Sequence, residues 1–166
     1  MVIWITGCPG AGKTTIANLL LKQLRNKSQQ SVLLDGDAMR KALQINTYDI
    51  ESRKALALTY ARIAKMFSEQ GSIAICATVS MFDSVRQWNA DNIVDYFEVY
   101  VKVNDAVLHQ RDQKKLYSEG AKGNQVNVVG FDIAMEEPKN PNLVLNNDGH
   151  VKPEYLVNQI LEKITL

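Results

Sequence analysis

No run of 18 or more apolar residues occurs in the chain, and the first apolar stretch ends after five residues at Gly7. A membrane span and a secretory leader are therefore not expected. Charge of one sign is lacking as well. The 19 lysines and arginines nearly match the 18 aspartates and glutamates, for a formal net charge of +1. No global field then draws a nucleic acid or an anionic membrane, and any anion must be held by a local site. Cysteine is scarce: Cys8 and Cys76 are too few for a disulfide framework, so a reduced, cytoplasmic setting is expected. His109 and His150 have no partner at metal-ligand spacing. Repeats, linkers and low-complexity tracts are missing too. The 166 residues, 46% hydrophobic and 22% charged, suit one globular domain spanning 1–166.

Short apolar runs alternate with amphipathic stretches. "VIWIT" (2–6), "SVLLD" (31–35), "SIAICATV" (72–79), "YFEVYVKV" (96–103) and "NLVLNN" (142–147) read as strands. Helical spacing marks 14–27, a short turn at 38–43, a long helix from Ile50 to Gln70 ended by Gly71, then 83–94, 105–113 and 153–165. This alternation predicts an α/β fold, a parallel sheet covered on both faces. The stretch 114–142, with Gly120, Gly123, Gly130, Pro138 and Pro141, reads as a long functional loop.

"GCPGAGKTT" (7–15) follows the first strand and opens the first helix, as G-x-x-x-x-G-K-[ST] requires. Gly7, Pro9, Gly10, Ala11 and Gly12 would curl the backbone so that successive N–H groups face an anion, aided by the helix amino end. Lys13 can reach the outer phosphates, the Thr14 hydroxyl is placed for Mg²⁺, and Thr15 completes the loop. A nucleoside triphosphate is implied, with ATP the expected one. Cys8 is a bystander in this reading.

The second strand ends in "LLDGDAMR" (33–40). Strand carboxyl ends line the ligand crevice of such sheets, so Asp35 and Asp37 should emerge beside the phosphate loop. A carboxylate there can order Mg²⁺ or take a proton from an attacking hydroxyl, with Arg40 facing the same crevice. The competing reading is a surface Asp-Gly turn. "RDQKKLY" (111–117) clusters Arg111, Lys114 and Lys115 ahead of the glycine-containing loop, as lid cations or as a solvated helix end. Thr78 and Ser80 are placed at the end of the third strand, facing the crevice; Ser80 either bonds a substrate or caps the next helix.

In order and spacing, "GAGKTT", "DGDAMR", "FEVYV", "RDQKKLY" and "GFDIAMEEP" resemble the adenylyl-sulfate (APS) kinase family, over residues 2 to about 147. The resemblance implies a P-loop kinase fold with a five-stranded parallel sheet and a lid at about 114–142. It also implies phosphorylation, dependent on ATP and Mg²⁺, of a ribose 3′-hydroxyl on a nucleotide with a 5′-diphosphate-like group. By position, Asp37 becomes the base or Mg²⁺ organiser together with Thr14, and Arg40 and Arg53 become substrate-phosphate ligands. Arg111 would lie near the ATP adenine, and Lys114, Leu116 and Tyr117 would form the lid. Ser80 falls at the serine to which the family assigns a phosphoserine role, although direct in-line transfer needs no covalent step. Family members are often dimers, so a homodimer is an expectation.

Departures from the family pattern cluster on the acceptor side. Where these kinases commonly read R-x-E-N-I-R-R, this chain has "RKALALT" (53–59), so Leu56 replaces an asparagine while Leu58 and Thr59 replace an arginine pair. Of two aromatic residues that sandwich the acceptor base, Tyr48 stands near one position and Val128 at the other. "VSM" (79–81) replaces "ISP", and Lys115 is added to the lid. Losing one stacking face removes about 1–3 kcal/mol per base. These changes resemble the branch of cytidine diphosphoramidate kinases that serve capsule O-methyl phosphoramidate synthesis, with APS as the close alternative acceptor. Rival readings are a P-loop nucleotide switch and an inactive nucleotide sensor. The switch lacks a base-reading motif, and the sensor would have no chemical need for Lys13, Thr14, Asp35 and Asp37 together.

Overall fold

The computed structural model describes residues 1–112, 115–122, 129–130 and 133–165. Five parallel strands form one sheet: β1 (Val2–Thr6), β2 (Ser31–Asp35), β3 (Ile73–Ala77), β4 (Tyr96–Lys102) and β5 (Leu143–Asn146), in spatial order β2-β3-β1-β4-β5. β1 lies at the centre because every one of its side chains is buried, as a strand covered on both faces requires. Ile3 and Ile5 point into one core and Val2 and Trp4 into the other.

The first core is closed by α1 (Lys13–Asn26) and α7 (Pro153–Lys163) through Ile16, Leu20, Leu24, Leu156 and Ile160. The second is closed by α3 (Ile50–Glu69) and α4 (Asp83–Asn92) through Leu56, Tyr60, Ala64 and Val85. Local signals set the ends. Asp49 caps α3 by accepting from Ser52 N at 2.9 Å, and Gly71 beyond it has φ +82°, a conformation that costs glycine little. Proline starts α7 where a missing N–H is harmless.

Most boundaries fall within two residues of the sequence reading, and two differences bear on the site. α2 runs Gly36–Leu43, beginning two residues earlier than expected, because the Asp35 side chain caps it by accepting from Asp37 N and Ala38 N at 3.1 and 3.2 Å. The presumed loop at 114–142 is partly helical. After α5 (Asp105–Arg111), α6 (Leu116–Ala121) forms because Asp112 Oδ1 accepts from both Tyr117 N and Ser118 N at 3.0 Å. Hydrogen bonding from the Ser118 side chain, and then from these amides, holds the Asp112 carboxyl below its usual range.

The strand order places a topological switch at β1, with β3 on one side and β4 on the other. Asp35 lies beside Ala77 in register, and Ile5 beside the same residue from the opposite strand. The carboxyl ends of β1, β2 and β3 thus open into one crevice.

Candidate active site

A cleft of about 400 Å³ occupies that crevice. Pro9, Gly10, Gly12, Lys13, Thr14 and Thr15 form one wall; Asp35, Gly36, Asp37 and Arg40 form the next. Tyr48, Arg53, Leu56, Ala57 and Tyr60 come from α3 and the segment before it, and Ala77, Thr78, Val79, Leu116 and Val129 close the rest.

The phosphate loop owes its shape to three glycines at positive φ: Gly7 at +148°, Gly10 at +80° and Gly12 at +92°. A Cβ on Gly7 would stand 2.5 Å from the Val101 carbonyl oxygen, so the loop packs against β4 where no side chain fits. Ala11 is fully buried behind the loop. No side chain caps α1, so its amino end presents bare amides to the cleft. Lys13 Nζ donates to the carbonyls of Gly7 and Cys8 at 2.8 and 2.7 Å. Burial pushes this ammonium down to about 8, against the pull of the nearby Cys8, Asp35 and Asp37. The Cys8 thiol is pushed up to about 11 by the same burial, which keeps it an inert thiol.

Thr14 Oγ1 donates to Asp35 Oδ2 at 2.8 Å. The expected metal pair was Thr14 with Asp37. Both line the cleft, but the carboxylate in contact with Thr14 is Asp35. Hydroxyl and carboxylate oxygens suit a hard cation such as Mg²⁺, which characteristically takes one or two protein carboxylates and completes its shell with phosphates and water. Among the described residues no group of three or more His, Cys, Asp or Glu could hold a metal without such help. Asp37 stands exposed on the first turn of α2, at the mouth of the same cleft.

On the acceptor side, the guanidinium carbons of Arg40 and Arg53 lie 4.4 and 5.3 Å from the Tyr48 ring centroid. Each arginine is also tied to backbone: Arg40 Nη1 donates to Thr47 O and Arg53 Nε to Tyr48 O, both at 2.7 Å. Two cations thus flank one aromatic ring, an arrangement that offers both charge for an anion and a flat face for a base. Leu56 is buried in this wall. One helical turn on, the Tyr60 hydroxyl donates to Gly36 O at 3.2 Å. Burial pushes that phenol up to about 12, so it stays a neutral donor.

Several expected residues lie elsewhere. Ser80 does not line the cleft: it is 0% exposed, and its hydroxyl has no hydrogen-bond partner among the described residues. Its carbonyl instead accepts from Thr6 Oγ1 at 3.1 Å and Arg86 Nη1 at 3.5 Å. The third strand, expected over 72–79, ends at Ala77, so its alternation does not reach residue 80. Arg111 also lies off the cleft wall, donating to Gly10 O at 3.2 Å and to Asn147 O at 2.7 Å. Lys115 is exposed at φ +58° and does not line the cleft, whereas Leu116 does. Lys114 and Val128 lie outside the described residues.

Sequence reasoning missed Tyr60 and Asn147. An aromatic residue with a polar tip, one turn beyond Leu56 on the buried face of a helix, was the available signal for Tyr60. Asn147 directly follows β5, at a strand end of the kind that lines such sites.

Comparison with known proteins agrees with this geometry. Residues 1–146 match the sequence profile of the family described as adenylylsulphate kinase. A cytidine diphosphoramidate kinase of Campylobacter jejuni is 38% identical over 165 residues, covering 99% of this chain and 96% of that protein. A probable adenylyl-sulfate kinase of Bacillus subtilis is 35% identical over 164 residues, covering 97% of this chain and 83% of that protein. The structure of the Mycobacterium tuberculosis APS kinase in complex with AMPPNP and APS superposes with a TM-score of 0.91 at 24% identity, covering 98% of this chain and 95% of that one, and shares its fold. The chain belongs to the adenylyl-sulfate kinase family and has the P-loop kinase fold. It is a phosphotransferase of that family.

Proposed function

We propose that this kinase transfers the γ-phosphoryl group of ATP, with Mg²⁺, to the ribose 3′-hydroxyl of a nucleoside carrying a 5′-diphosphate-like group. Cytidine 5′-diphosphoramidate is the favoured acceptor. The observation that carries the acceptor choice is Leu56, buried in the cleft wall between Arg53 and Tyr60 where the family commonly places an asparagine. An apolar side chain there leaves a polar acceptor edge without a partner, and a buried polar group without a partner is costly. The similarity to the Campylobacter jejuni enzyme supports the same reading.

In this mechanism the loop amides and the amino end of α1 hold the ATP phosphates. Lys13 adds positive charge where negative charge develops during transfer. Mg²⁺, held by Thr14 and Asp35, would neutralise further charge on the phosphates. Asp37 orients the acceptor hydroxyl and accepts its proton. Arg40 and Arg53 bind the acceptor's phosphate-type group, and Tyr48 offers its ring to the base. Leu116, at the start of α6, belongs to the side that closes over the cleft and excludes water.

The test is an ADP-release assay with ATP and Mg²⁺, offering cytidine diphosphoramidate and APS in parallel. Preference for the cytidine compound is the expected result. Preference for APS would make Leu56 a tolerated variation and the protein an APS kinase, the second reading that the Bacillus subtilis relative favours.

A further inference from the structure

Three consecutive carbonyls of the phosphate loop are each held from outside by a different side chain. Tyr117 Oη donates to Pro9 O at 3.1 Å, Arg111 Nη1 to Gly10 O at 3.2 Å, and Asn147 Nδ2 to Ala11 O at 2.7 Å. The two preceding carbonyls, of Gly7 and Cys8, are taken by Lys13 Nζ. Every carbonyl from residue 7 to residue 11 therefore points to a donor. The three outer donors come from α5, α6 and the end of β5, and Arg111 also donates to Asn147 O at 2.7 Å, joining two of them.

A peptide unit is planar, so fixing its carbonyl direction fixes the N–H of the next residue in the opposite sense. Glycine at positions 10 and 12 leaves the loop free to turn those units over, since a positive φ is as accessible to glycine as a negative one. We infer that Tyr117, Arg111 and Asn147 form an outer clasp of positioning residues that sets the phosphate-binding face of the loop by anchoring its opposite side. None of the three lines the cleft, and each reaches the site through the peptide units of Pro9, Gly10 and Ala11. Gly12 shows how tightly it fits: a Cβ there would come within 2.5 Å of Asn147 Nδ2. Leu116, which lines the cleft, neighbours Tyr117 in α6, so the clasp also ties the acceptor side to the phosphate loop.

This inference rests on reading residues 7–15 as the cradle for nucleotide phosphates. Its test uses no acceptor, so an error in the acceptor leaves the result intact. Tyr117→Phe removes only the hydroxyl and keeps the ring that packs, tilted by 57°, at 4.9 Å from His109. ADP affinity with Mg²⁺ is read by calorimetry, and adenosine affinity by competition. The expected result is about a fivefold loss for ADP, the size of one neutral hydrogen bond, with adenosine unchanged because it carries no phosphate. In steady state the KM for ATP should rise while kcat changes little. Asn147→Ala supplies a second, independent variant with the same expected split. Equal losses for ADP and adenosine, or no loss for either, would overturn the clasp.

Discussion

The Thr14 hydroxyl and the Asp35 carboxylate meet at 2.8 Å across the gap between α1 and the end of β2. Asp35 serves two tasks at once, because its other oxygen caps α2. The tasks separate by substitution. Asp35→Asn retains an oxygen for the cap and should keep the melting temperature near that of the parent, while Mg²⁺-dependent turnover falls at least about tenfold, since the proposed Mg²⁺ site loses a carboxylate. Asp35→Ala should lose both, with a further stability cost of about 1 kcal/mol from the missing cap. Thermal melts beside kinetic titrations with Mg²⁺ check both.

Asp37→Asn keeps the shape of the first turn of α2 and removes the proposed base. Turnover should drop about 100-fold or more while ADP binds as in the parent. Unchanged turnover would remove Asp37 from the chemistry.

Leu56→Asn restores the polar group common in the family. The ratio of kcat/KM for APS to that for cytidine diphosphoramidate should rise about tenfold, measured on both acceptors with the same enzyme preparation. A ratio that stays put would mean that another residue sets the acceptor.

ATP binding should weaken with pH through the Lys13 ammonium. Burial lowers its pKa from 10.5 to about 8. Below pH 8 the group is charged and attracts phosphate; above it the free enzyme loses that charge, so binding must draw a proton back. KM for ATP should climb between pH 8 and 10, and calorimetry in buffers of different ionisation enthalpy should show proton uptake on binding over that range.

Arg86, on α4, gives a stability prediction away from the cleft. It is buried and faces Glu98, whose carboxyl is raised by desolvation, at 3.5 Å. It also pairs with Asp83 and donates to Glu136 O at 2.6 Å, binding α4 to the segment that returns from the lid. Arg86→Met leaves Glu98 without its cation and should cost about 3–5 kcal/mol in denaturant unfolding.

The strands and long helices were legible because their signals are local. A short apolar run such as Val2–Thr6 ahead of a glycine-rich turn suits a strand buried on both faces, and Gly71 marks the end of α3 from its immediate neighbours. Ser80 shows the limit: its side depends on where β3 stops, which pairing with β1 and β2 decides. Tyr60 was hidden as one more residue on an apolar helix face until α2 came to lie beneath its hydroxyl.

By itself the sequence determined that a phosphate-binding loop follows the first strand, that Lys13 and Thr14 close it, and that two carboxylates leave the second strand. Those facts depend on spacing along one short stretch of chain. Which carboxylate meets Thr14, and which side chains grip the carbonyls of Pro9, Gly10 and Ala11, the tertiary structure alone decided. Arg111, Tyr117 and Asn147 lie 101, 108 and 136 residues along the chain from their partners. They converge because the order β2-β3-β1-β4-β5 brings the ends of separate strands to one edge of the sheet. That order is set by how the two cores pack, a property of the whole chain rather than of any segment of it.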